Sequence, residues 1–174
     1  MHYSPSQRGF SLIEVLVAVL IVAIGLVGVA GMQFVGLKGN QQSFSKNQAA
    51  HHAQSLLERM RSNPDGVADG SYVYDSDTAD CATAPAASCG LSSVTCSNDE
   101  MAKYDLFTAY CGKSGNNFSG LKGSLSNSSL DITCTAACVE GVTLTLGWDE
   151  QKISEDSSTE DSVARELVIN TVIK

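Results

Sequence analysis

The chemistry that stands out first lies in Gly9-Phe10-Ser11-Leu12-Ile13-Glu14-Val15-Leu16. Glu14 is the fifth residue counted from Phe10, and it opens a stretch, Val15 to Leu37, that holds no charge and only Gln33 as a strongly polar side chain. A carboxylate at bilayer depth costs ~2.5–3.5 kcal/mol on insertion scales, so something must compensate for it. One source is the positive end of its own helix. The other is the α-amino group that a cut before Phe10 would create. In a single subunit that pairing is poor, whereas the amino terminus of a neighbouring helix would set an opposite charge beside Glu14 in a low dielectric. Glu14 therefore favours assembly.

The second reactive set is Cys81, Cys89, Cys96, Cys111, Cys134 and Cys138, all in the second half of the chain. An even number of cysteines in a loop-rich segment beyond an apolar span indicates disulfides and an oxidising compartment. Zinc is the weaker reading, because there is no CxxC pair and the only histidines, His2, His51 and His52, are distant in sequence. Six cysteines allow 15 pairings; neighbour order (Cys81–Cys89, Cys96–Cys111, Cys134–Cys138) is the simplest expectation. Asp75, Asp77 and Asp80 form an acidic loop that lacks the spacing and the glycine of a calcium hand; solvation is expected there, and no metal. No Ser/His/Asp grouping or phosphate-binding glycine loop is present, and adjacent His51 and His52 point different ways on a helix. Both histidines are expected to face solvent or a filament neighbour, and neither enzymatic activity nor a cofactor is expected.

These groups must be positioned by a small set of elements. No proline interrupts Phe10 to Arg61, and one helix of ~52 residues would run about 78 Å, of which ~30 Å would cross a bilayer. Its outer part carries Ala49, Ala50, Ala53, Leu56, Leu57 and Met60 at i, i+3, i+4, i+7 spacing, with His52, Glu58, Arg59 and Arg61 off the stripe. Asn63-Pro64-Asp65-Gly66 reads as a turn that stops it. Gly25, Gly28, Gly31, Gly36 and Gly39 fit either close helix packing or local unwinding. Residues 65–97 read as a stapled loop with a short strand near Ser71–Tyr74. Ser97 or Asn98 caps a helix from Asp99 to about Tyr110, with Met101, Tyr104, Leu106, Phe107 and Tyr110 inward. Residues 116–129 are turn-rich. Strands are expected near Leu130–Thr133, at Val142–Trp148, where Val142, Leu144, Leu146 and Trp148 alternate, and at Leu167–Ile173. Asp149 to Ser162, with six acids and one lysine, reads as a solvated connection. The sum is an α+β arrangement, a helix covering one face of an antiparallel sheet.

Composition agrees with two chemically distinct parts. The 174 residues fit one soft domain unit, and a mean hydropathy of +0.01 averages an apolar anchor with a polar body. Residues 1–61 carry five bases and two acids, and the remainder a net charge of −11 within the total of −8. A body this acidic is a poor phosphate binder, so no nucleic-acid partner is expected. The apolar stretch lies downstream of the Gly9-Phe10 junction, the reverse of a secretory signal peptide, so a cut there would leave the span on the mature chain.

Gly9-Phe10-Ser11-Leu12-Ile13-Glu14-Val15-Leu16, after a short leader carrying Arg8 and before an apolar helix, resembles the class III signal of type IV prepilins and type II secretion pseudopilins. The resemblance implies a pilin-like α+β fold. It also implies cleavage after Gly9 by a prepilin peptidase, N-methylation of Phe10, and Glu14 as the assembly carboxylate. Residues 1–9 would be the leader, 10–37 the transmembrane and later filament-core helix, 38–63 its amphipathic continuation, and 64–174 a periplasmic head. Leu57-Glu58-Arg59-Met60-Arg61-Ser62-Asn63-Pro64 and Gly70-Ser71-Tyr72 are similar to the end of the long helix in the minor pilins called type IV pilus modification protein PilV. Asp105-Leu106 and Leu144-Thr145-Leu146-Gly147-Trp148 are similar to that family too, although Tyr110 stands where a tryptophan is expected and residues 75–98 have no counterpart. The implied partners are the peptidase, other minor and major pilins, the inner-membrane assembly machinery with its motors, and lipid before assembly. A minor pseudopilin of type II secretion is the alternative within the same resemblance; a single-span protein with an accidental Gly-Phe junction lies outside it.

Overall fold

The computed structural model describes residues 9–86, 88–89, 94–112, 119–134, 138, 140–151 and 162–173, except the side chains of Lys38 and Gln151. Contacts divide the chain into two units, residues 1–43 and 44–174, joined by one helix, α1 (Leu12–Ser62).

In the first unit α1 begins where the Glu14 and Val15 amides donate to the Ser11 carbonyl, at 3.0 and 3.3 Å. That is two residues later than the sequence reading, within the usual uncertainty of a helix end. Its large apolar side chains, from Leu12 through Leu37, are exposed, and a Cβ added at Gly25, Gly28, Gly31, Gly36 or Gly39 meets nothing within 4 Å. The helix is long and apolar enough to cross a membrane by length and composition.

In the second unit the outer part of α1 buries Ala49, Ala53, Leu56, Leu57 and Met60, with Ala50 half-buried. The expected turn at residues 63–66 is instead a restart, α2 (Pro64–Ala68). Asn63 caps it, its Oδ1 accepting from the Gly66 amide at 3.3 Å, and Pro64 occupies the first helical position, where its missing N–H is no loss. A Cβ at residue 66 would lie 2.5 Å from the Asn63 side-chain amide, so glycine there leaves the capping side chain in place. Strand β1 (Tyr74–Asp75) follows and leads into a single 3-10 turn, Ser76–Thr78.

Helix α3 (Asn98–Tyr110) starts on the capping box that Ser97 forms with Glu100, in which each satisfies the other's free amide. It buries Ala102, Asp105, Leu106 and Tyr110; Met101, Tyr104 and Phe107 are only half-buried, so the inward face is rotated toward Asp105 relative to the apolar pattern. The short α4 (Leu121–Ser124) precedes β2 (Ser129–Cys134), β3 (Val142–Gln151) and β4 (Ser162–Thr171). The four strands form an antiparallel meander in the order β1-β2-β3-β4. Leu130, Ile132, Val142, Leu144, Leu146 and Trp148 share one core with the α1 stripe and with Leu106 and Tyr110 of α3.

Two expectations are corrected here. Asp149 to Gln151 are not part of a solvated connection but complete β3. The alternation that buries residues 144, 146 and 148 buries Glu150 too, at 7% exposure, and its carboxylate accepts from Arg165 Nε at 3.0 Å and Trp148 Nε1 at 3.3 Å. The rest of that connection lies outside the described residues.

Neighbour pairing of the cysteines is also overturned. The disulfides are Cys81–Cys111, Cys89–Cys96 and Cys134–Cys138, with Cα separations of 5.5, 5.9 and 4.7 Å, so only the last follows neighbour order. The cause is α3. Helix between Cys96 and Cys111 sets them about 20 Å apart at 1.5 Å per residue, whereas a disulfide requires Cα atoms within about 7 Å. The helix carries Cys111 back to Cys81, and Cys89 is left to Cys96 before the cap. With a sequence separation of 30, Cys81–Cys111 removes about 3–4 kcal/mol of unfolded-chain entropy on the loop-closure model. We expect a Cys81→Ser/Cys111→Ser double variant to lose stability of that order in urea unfolding, with Cys89–Cys96 intact in a non-reducing peptide map.

Candidate functional site

Gly9, Phe10 and Glu14 occupy one exposed segment. Phe10 is 83% exposed, a Cβ on Gly9 would meet nothing within 4 Å, and Glu14 is exposed in the first turn of α1. Among the described residues, Gly9 and Phe10 are thus exposed. The Glu14 carboxylate has no side-chain partner among the described residues.

Where α1 ends, the polar residues converge. Arg59 Nη1 donates to Asp105 Oδ1 at 2.9 Å and the Tyr72 hydroxyl donates to Asp105 Oδ2 at 2.8 Å. Asn63 Nδ2 donates to the Asn98 carbonyl at 2.8 Å and reaches the Tyr72 oxygen at 3.4 Å. Burial, with the adjacent Asp105 carboxylate, pushes the Tyr72 hydroxyl above its ordinary range, so it stays a donor. One carboxylate thus joins α1, the segment before β1, and α3. Arg59 was placed off the apolar stripe by the sequence pattern; it is half-buried because this carboxylate receives it. The available signal was an aspartate in the middle of α3, in phase with Ala102 and Leu106.

The histidines separate. His51 is exposed as expected, but His52 is half-buried, with Nε2 2.8 Å from Ser124 Oγ. Ser124 donates to the Gly120 carbonyl at 2.6 Å, so its oxygen accepts from His52 Nε2–H. Burial, then the nearby His51, lowers the His52 pKa from 6.5. A base depressed in the folded state binds fewer protons than the unfolded chain below pH 6.5, so stability falls as pH drops through that value. Urea midpoints measured from pH 8 to pH 5 are expected to decline, and His52→Gln to flatten the slope.

The acids remain solvated. Asp75 Oδ1 accepts from the Asp77 amide and Asp80 Oδ1 from the Ala82 amide, at 2.9 and 2.8 Å. Among the described residues no group of three or more His, Cys, Asp or Glu is arranged to hold a metal ion.

Comparison with known proteins places these features in sequence order. Residues 4–30 match the prokaryotic N-terminal methylation motif, and residues 31–107 match the family model described as type IV pilin Tt1218. No curated protein and no solved structure gives a match. The two matched segments meet without a gap inside α1, and the second spans Arg59, Tyr72 and Asp105. Pilins are structural subunits and not enzymes. A methylation motif that runs directly into a segment similar to type IV pilins, on one helix that leads to a disulfide-bonded α+β head, makes residues 4–107 similar to type IV pilins that carry a prepilin N-terminal methylation motif.

Proposed function

We propose that this protein is a minor pilin of the type IV pilus. A prepilin peptidase cuts between Gly9 and Phe10, removes the leader 1–9, and methylates Phe10. Residues 10–37 anchor the chain in the inner membrane and later enter the filament core, 38–63 continue the helix amphipathically, and 64–174 form the head in the periplasm and then on the pilus. Together with other minor pilins it helps to prime assembly by the inner-membrane machinery. It is similar in kind to the type IV pilus modification proteins PilV, a reading supported by Arg59, Asn63 and Tyr72, which lie in the segments similar to that family and build the polar cluster around Asp105.

The observation that carries this reading is the exposed apolar run of α1 with a single acid at its start. Lipid can cover the apolar side chains, but an unpaired carboxylate favours the amino terminus of a neighbouring helix over hydrocarbon. Transfer into a helix bundle supplies that partner, and helix packing replaces the lipid contact.

Intact-mass analysis of the protein from membranes tests processing: the expected species starts at Phe10 and carries one added methyl group, and an uncut Met1 terminus would overturn the proposal. Deletion of the gene is expected to remove surface pili while exoprotein secretion continues. The opposite phenotype would assign the chain to type II secretion.

A further inference from the structure

The two edges of the sheet differ. Strand β1 has only two residues, half-buried Tyr74 and exposed Asp75, puts Asp75 directly opposite Asp131 of β2, and ends at once in the 3-10 turn. Shortness, charge and an abrupt end are the usual means of protecting a sheet edge. Strand β4 is neither short nor abruptly ended, and of its two charged residues, Arg165 and Glu166, the first is bonded to Glu150. It runs for ten residues, Ser162–Thr171, in unbroken register with β3 from Gln151↔Ser162 to Val142↔Thr171, without a bulge. It contains neither proline nor lysine. Among the described residues its outer edge has no strand beside it and no main-chain partner.

The outward side chains of this strand have a definite pattern. Ala164, Glu166, Val168 and Asn170 alternate on the exposed face, and Val172, one residue past the strand, continues the alternation, with Val168 48% and Val172 50% exposed. Among the described residues Glu166 has no partner, because the neighbouring cation, Arg165, is bonded to Glu150. A strand added antiparallel to β4 would meet Val172 first, then Asn170, Val168 and Glu166. Directly opposed side chains favour apolar pairs and opposite charges.

We propose that the free edge of β4 takes up an extended segment of a partner protein as a fifth, antiparallel strand. The segment carries apolar β-branched residues facing Val172 and Val168, and a lysine or arginine two positions further on, facing Glu166. Main-chain hydrogen bonds supply affinity and the alternate side chains supply selectivity. This surface goes beyond the assembly role above, and the exclusion of a second copy rests on the membrane anchoring stated there. A second copy is disfavoured as the occupant. Antiparallel pairing of two β4 strands on the same face is a two-fold operation about the sheet normal, which reverses every direction lying in the sheet plane. The segments of α1 layered on the two sheets would then run in opposite directions, whereas two subunits held in one membrane must run the same way.

The test uses the full-length protein in detergent micelles and the capped probe peptide Thr-Val-Thr-Asn-Thr-Val-Thr-Lys-Thr. Its control has Glu in place of Lys. Hydrogen exchange of the β4 amides is expected to slow with the Lys probe, which should bind about fivefold more tightly than the Glu probe, the order expected for exchanging an opposed pair of opposite charges for a like pair. The exposed substitution Glu166→Lys should invert that preference. Unchanged exchange with either probe would overturn the proposal, as would equal binding of the two probes. Protection of β4 that grows with protein concentration in the absence of probe would assign the edge to a second copy instead, and would also overturn it.

Discussion

A Gly9→Val chain is expected to accumulate in the membrane with its leader attached, without the methyl group, and absent from sheared pili. This is the largest functional effect anticipated for a single substitution, and the folded chain should be indifferent to it. A Cβ at residue 9 meets nothing within 4 Å, and the residue lies ahead of α1, whose first residue is Leu12. Any loss must then arise in the peptidase, where a branched side chain blocks close approach to the scissile bond. Intact mass and a urea midpoint on the same sample check both halves: retained leader with unchanged stability is the expected pair. Normal piliation by the uncut chain would remove the basis of the proposed function. Glu14→Val serves as the contrast. The junction is untouched, so cleavage is expected to proceed, and removing the charge from the apolar helix relieves an insertion cost of about 2.5–3.5 kcal/mol. The variant should be anchored more firmly while entering filaments poorly, because the charge pairing that favours leaving lipid has gone.

The parts of this molecule that were legible in the sequence are those governed by local periodicity and local caps. The unbroken apolar run gave α1. The alternation from Val142 to Trp148 gave β3, and Ser97 or Asn98 as a cap marked the start of α3. Other features depended on combining two such readings. The alternation of β3, carried one step further, puts Glu150 inside, although the acid count of the following segment argues for solvent. The helix expected from Asp99 to Tyr110 already forbids a Cys96–Cys111 bond, since its rise exceeds the span of a disulfide. Long-range pairing is different in kind. Nothing near Arg59 in sequence indicates that its partner is Asp105, 46 residues away, and nothing near His52 indicates Ser124, 72 residues away. These contacts follow from how the head packs on α1. The resemblance over residues 57–64 and 70–72 nonetheless included Arg59, Asn63 and Tyr72, three of the residues that build the polar cluster.

That cluster leads to the largest expected effect on stability. Asp105→Ala should lower the unfolding free energy of the head by about 3 kcal/mol, the lower end of the range for removing one member of a buried ion pair. The lower end applies because the Arg59 side chain keeps 38% exposure while that of Asp105 keeps 6%, so water takes back part of the guanidinium. The Tyr72 hydroxyl is less fortunate: it sits in a residue only 2% exposed and keeps only the long 3.4 Å approach of Asn63. Asp105→Asn retains an acceptor and should cost less, about 1–2 kcal/mol, the scale of a charge-assisted hydrogen bond reduced to a neutral one. The decisive comparison is a double-mutant cycle with Arg59→Met. Removing the arginine alone leaves a buried carboxylate held by one tyrosine, so each single variant strands a group that the other removes. The double variant Arg59→Met/Asp105→Ala should therefore be less destabilised than the two single losses added together, by about 1–3 kcal/mol of coupling. Additivity in urea titrations would show that the pair is not the unit that holds α3 to α1. If the coupling is found, the proposed function expects Asp105→Ala to be processed normally at Gly9 yet be depleted from pili, because on that proposal cleavage would read the amino end of α1 whereas incorporation would require a head that stays docked on its outer part.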